Sequence, residues 1–164
     1  MCRLATAFAM ILLECALLSA QNTTPSAPAH APAEDYSGMY SFLQEGEFVQ
    51  LNIEDASRVS GFISRYGDLE SDHGQFLDHF FKTASLDARK LSFITETVHG
   101  IWYEFKGTIE RGPGKTPGGE GYYVLKGTLF QNTTDANKKT SSKSREVSLK
   151  SFPQDIDADP AKRN

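Results

Sequence analysis

The chain has 164 residues, of which 39% are hydrophobic and 23% charged, with a net charge of −4. That length suits one globular domain, and the mild excess of acid excludes the clustered Lys and Arg that a phosphate backbone or an anionic lipid surface demands. Both cysteines, Cys2 and Cys15, fall within the first twenty residues, which excludes a disulfide framework for everything after them.

Residues 1–20 read as an export signal. Arg3 is the one charge before an apolar run over 4–13, a second apolar stretch covers 16–18, and Leu18-Ser19-Ala20 offers small residues before Gln21. A membrane anchor is disfavoured because Glu14 interrupts the roughly 20 continuous apolar residues that a span requires. Acylation of Cys15 is disfavoured too, since Glu14 stands where a lipobox wants a small residue. The expected location is therefore periplasmic or secreted, with no membrane span in the mature chain. Residues 21–35 hold three prolines and no large apolar side chain, which predicts a disordered linker. Residues 153–164 read as a polar tail.

Between them, 36–152 alternates apolar and polar residues almost throughout, the period of half-buried strands. Val49, Leu51 and Ile53 share one face, as do Tyr103, Phe105 and Ile109, then Tyr123, Leu125 and Leu129, then Val147 and Leu149. The predicted strands are 38–43, 47–54, 58–66, 77–84, 90–98, 101–110, 120–130 and 145–151. A helical turn over 75–81 competes with the fourth. Short connections such as Gln44-Glu45-Gly46 and His99-Gly100 suit hairpins between sequential neighbours, hence an antiparallel meander. Tyr103-Glu104-Phe105-Lys106-Gly107-Thr108-Ile109 is echoed by Tyr123-Val124-Leu125-Lys126-Gly127-Thr128-Leu129. Gly107, Gly127 and Gly61 then fall on the apolar face, where glycine permits the bend that closes a small barrel. The fold class is all-β: about eight strands closed into a small up-and-down barrel.

This layout, opening with Ser37-Gly38-Met39-Tyr40, resembles the calycin group of barrels, which includes lipocalins and avidins. Those families open on Gly-x-Trp, and Tyr40 stands here in place of the tryptophan. The resemblance implies a barrel with a mouth able to take a small ligand; it carries over no binding residue. An uncharacterised bacterial secreted family of the same shape fits the layout equally.

Chemistry is thinly marked. Asp68, Glu70 and Asp72 alternate as Ca²⁺ ligands would, but His73 and His79 occupy the sixth and twelfth positions that a calcium loop gives to Gly and Glu. His73 and His79 lie six apart, a spacing that suits neither a helix pair nor a strand face for a metal, and on a strand His79 would share the face of Leu77 and Phe81. Gly114-Lys115-Thr116 lacks the earlier glycine of a phosphate loop, and no Gly-x-Ser-x-Gly occurs. No cofactor, metal or catalytic residue is expected. Trp102 points outward, a contact site for a partner or a sugar unless it packs on its neighbours. Asn22 and Asn132 fit the glycosylation pattern, though the spare, cysteine-free design suggests a bacterial source in which it would go unused.

Three readings follow. The first is a non-enzymatic barrel holding a small apolar or amphipathic ligand against Tyr103, Phe105 and Tyr123. The second is a surface module for protein or carbohydrate. The third is a hydrolase or isomerase using His73 or His79 with nearby carboxylates. A cavity inside the barrel would favour the first, a filled interior with an exposed cluster around Trp102 the second, and convergence of the histidines with two carboxylates the third.

Overall fold

The computed structural model describes residues 35–55, 58–68 and 70–153. The export signal, most of the linker and the polar tail lie outside the described residues. Eight strands follow one another: β1 (Gly38–Ser41), β2 (Phe48–Asp55), β3 (Arg58–Tyr66), β4 (Phe76–Asp87), β5 (Lys90–Thr95), β6 (Ile101–Arg111), β7 (Tyr123–Thr134) and β8 (Thr140–Lys150). Each pairs antiparallel with the next, so the sheet order is the chain order. No α-helix occurs among the described residues, and none is long and apolar enough to cross a membrane. The competing helical turn at 75–81 is therefore corrected: β4 occupies it as strand, and one 3-10 turn (Glu70–Asp72) precedes it.

The hairpins explain the up-and-down path. His99 (φ 48°) and Gly100 (φ 79°) form a two-residue turn closed by paired hydrogen bonds between Val98 and Ile101, both 2.9 Å. Positive φ at both central positions matches the right-handed twist of the flanking strands. Between β1 and β2 the Phe42 amide donates to the Glu47 carbonyl at 3.0 Å, and Gly46 adopts φ 86°.

The sheet curls into a half-barrel that is open rather than fully closed. Its edges meet at a single bridge, Tyr40 with Ser151, supported by the Phe152 amide donating to the Met39 carbonyl at 2.8 Å. β1 is four residues long, too short to pair with the rest of β8. A second gap lies between β3 and β4, whose ladder runs only from Phe62–Phe80 to Tyr66–Phe76. Beyond it β4 shifts register between Phe81 and Thr83 and pairs with β5 alone on that stretch.

The concave side is packed. Val49, Leu51, Ile63, Tyr103, Phe105 and Leu125 are wholly buried. Phe81, Phe93 and Phe105 form a stack across three strands, with ring centroids 4.2 and 5.3 Å apart. Gly107 and Gly127 face each other across β6 and β7. A Cβ on Gly107 would sit 2.2 Å from the Lys126 carbonyl oxygen and 2.6 Å from the Phe105 ring, so glycine lets that ring fold inward over its own strand.

Candidate functional site

The three residues expected to line a ligand site all lie on β6 and β7. Tyr103 and Phe105 are 0% exposed, and Tyr123 is half-buried. Their neighbours are other parts of the core: Tyr103 meets Phe42 (5.5 Å) and His79 (5.2 Å), Phe105 stacks on Phe93, and Tyr123 meets Tyr36 (4.9 Å). Tyr103 and Phe105 are thus packed among core aromatics, while Phe105 and Phe93 also border an open recess of about 170 Å³ with Thr83, Ala84, Ser92 and Ile94.

One end of the half-barrel is sealed by charge. Arg65 lies on the inner face of β3, two residues from Ile63, with its side chain 6% exposed. Its guanidinium donates to both carboxylate oxygens of Asp68 and, at 2.8 Å, to the Tyr103 hydroxyl. Its Nε lies 3.7 Å from the Glu47 carboxylate. Glu47 is 1% exposed and accepts the Gln44 and Tyr66 amides, each at 3.1 Å, which ties the first hairpin to the end of β3. A buried charge persists only when paired and hydrogen-bonded; these contacts pair the Arg65 charge and satisfy its terminal nitrogens, while its Nε makes no hydrogen bond. The Arg65 hydrogen bonds hold the Asp68 carboxyl below its usual range. Burial pushes the Tyr103 phenol up to about 12.

The two histidines do not converge. His79 is 1% exposed on the inner face of β4, as its strand parity predicted, and neither ring nitrogen makes a hydrogen bond of ordinary geometry. Burial, reinforced by the Arg65 charge, lowers its pKa to about 4, while the Glu96 carbonyl pulls weakly the other way. His73 is exposed and lines an open cleft of about 410 Å³ with Gln44, Tyr66, Asp68 and the flanking glycines. Asp72 pairs instead with His99 at 2.6 Å. Among the described residues no group of three or more His, Cys, Asp or Glu side chains is placed to hold a metal. Asn132, one of the two glycosylation matches, is 6% exposed in β7, with its amide directed at Glu104.

The outer face of β2, β3 and β4 carries what sequence reading missed. Phe48, Phe62 and Phe80 touch in a row across the three strands, with centroids 5.8 and 5.4 Å apart. Beside them Phe76 stacks on Tyr66 at 4.4 Å. The Ser64 hydroxyl donating to Asp78 at 2.7 Å sits between the two groups. Phe80 is 57% exposed and Phe76 49% exposed, the two most exposed large apolar side chains among the described residues. Trp102, the outward aromatic singled out in the sequence, is half-buried on β6 opposite Asn132. The signal was present as parity: 62, 64 and 66 must face away from Ile63, and 76, 78 and 80 away from His79.

Compared with family models, curated proteins and solved structures, the chain matches none.

Proposed function

We propose that the chain is an exported, non-enzymatic interaction module that binds another protein through the aromatic face of β2, β3 and β4. The single observation carrying this reading is the run of Phe48, Phe62 and Phe80 with its neighbours Tyr66 and Phe76, set on three adjacent strands with Phe76 and Phe80 exposed and the others half-buried. Contiguous exposed apolar surface is costly to keep in an extracellular protein and marks contact sites. Covering either exposed ring contributes about 2–3 kcal/mol, from roughly half of a 150–250 Å² side chain at about 25 cal/mol per Å². Phenylalanines without hydroxyls, packed edge to face, suit an apolar protein surface better than a sugar. The export reading rests on the leader pattern of residues 1–20. The calycin-like layout supports a binding role without supplying a site.

Photo-crosslinking tests the reading. p-Benzoylphenylalanine replaces Phe80 in the exporting host, and a control carries it at Lys126, on the outer face of β7. A discrete protein adduct is expected from position 80 alone, with Phe62→Ser reducing its yield at least tenfold. A polysaccharide adduct at position 80, or equal labelling from both positions, would contradict it.

A second reading has one observation in its favour. Where β3 and β4 part, an open slot of about 350 Å³ is lined by Glu54, Arg58, Val59, Ser60 and Ala84. A small amphipathic ligand held there would retain the ligand-binding proposal without emptying the core.

A further inference from the structure

The seam of the half-barrel leaves one long strand edge without a partner among the described residues. β8 meets β1 only at the Tyr40–Ser151 bridge and through the Lys150 amide donating to the Ser41 hydroxyl at 3.0 Å. From Thr140 to Glu146 every residue is exposed. An edge of that length presents a row of unpaired N–H and C=O groups that can accept another strand.

Its side chains say what kind of strand. Arg145 pairs with Leu129 and Lys143 with Gln131, which places both cations on the concave side, in line with Val147 and Leu149. Lys138 and Lys139 extend the positive charge into the hairpin turn. None of the four makes an ion pair among the described residues. Two copies of this edge pairing with each other would oppose Lys and Arg, which like-charge repulsion disfavours. The fitting occupant is an extended segment with carboxylates at every second position.

The chain contains such a segment. Asp155, Asp157 and Asp159 alternate with Ile156 and Ala158, and Pro153 and Pro160 bound a stretch of ordinary strand length. Its own Lys143 and Arg145 are out of reach of Asp155 and Asp157. Phe152 is held beside Met39, at the opposite end of β8 from Lys143. Returning from Pro153 to the level of Arg145 takes about 27 Å at roughly 3.4 Å per residue. Asp155 and Asp157 lie at most about 7 and 14 Å of extended chain from Pro153. We infer that residues 154–159 of one copy add as a ninth strand to the Thr140–Ser148 edge of another, with Asp side chains set against Lys143 and Arg145. The contact joins two different surfaces, so it builds head-to-tail chains of copies, not a closed pair. It is independent of the aromatic face.

Sedimentation velocity on the full chain tests this across micromolar to hundred-micromolar concentration. Concentration-dependent self-association is expected, weakened at least tenfold by 0.5 M salt. Lys143→Glu/Arg145→Glu and Asp155→Lys/Asp157→Lys should each abolish it. An equimolar mixture of the two variants should associate again in alternating head-to-tail chains, since each variant's tail is complementary to the other's edge, and all four changes in one chain should restore association. Lys143→Ser/Arg145→Ser, expected to weaken association, covers the case in which charge reversal impairs folding. A wild-type chain that stays monomeric, variants that associate normally, or a mixture that fails to associate would each overturn the proposal. So would association removed only by Phe80→Ser, which would place the contact on the aromatic face instead.

Discussion

At the scale of single residues, stability turns on the charged end of the core. Arg65 and its near neighbour Asp68 meet Tyr103 and Glu47, so three different stretches of chain come together. Removing it leaves the Glu47 carboxylate, 1% exposed, without its countercharge. Arg65→Ala should therefore cost about 3 kcal/mol in urea unfolding, the usual scale for breaking a buried pair. Phe80→Ser, on the open face, should change stability by under about 1 kcal/mol. His79 adds a pH dependence of defined sign. Its pKa is 6.5 when unfolded and about 4 when folded, so between those values the unfolded chain binds a proton that the native state refuses. Stability is full above about pH 6.5 and falls as the pH drops to about 4, by up to about 3 kcal/mol. Urea unfolding of wild type and His79→Phe over that range is the check, and the variant should lose most of the slope. Of these residues only Tyr103 and His79 were placed inward from the sequence, by strand parity; the ion cluster was not legible. Arg65 stands beside Ile63 at an inward position, but its partners come together only through the fold.

At the scale of elements, β6 and β7 were readable because each buries one face and exposes the other, which writes a period of two into the residues. β4 was blurred because Phe76 and Phe80 lie outside while Leu77 and Phe81 lie inside, so apolar residues occupy both parities. The distal half of β8 was hidden for the opposite reason. Thr140 to Glu146 is polar on both faces, since no core lies beneath it, and most of the stretch falls in the gap between the predicted strands 120–130 and 145–151. The echoed Gly107 and Gly127 were correctly placed facing inward. A side chain at Gly127 would meet the Lys106 carbonyl oxygen at 2.3 Å. Gly127→Val should therefore cost about 2–3 kcal/mol, the scale of overpacking, against little for Thr128→Val on the outer face; thermal unfolding of the two variants compares them.

At the scale of the molecule, two features decide what the fold can do. The curl was foreseen as a closed barrel, and the structure qualifies this: β1 is too short to pair along β8, so one bridge holds the seam. An interior just wide enough for its own side chains is a common outcome for eight strands, and the Phe81–Phe93–Phe105 stack with Tyr103 takes up that width. On the proposed reading, binding falls to the outside, at the aromatic row of β2–β4, in and beside which lie the two most exposed phenylalanines among the described residues. The most direct measurement is a methyl NMR titration with laurate as an apolar probe. The inward methyls of Leu51, Ile63, Leu125 and Leu129 should keep their positions at millimolar laurate, with any perturbation confined to residues around Phe62 and Phe80. New slow-exchange signals from those four inward residues would show a ligand inside the core and contradict the assignment of binding to the outer face.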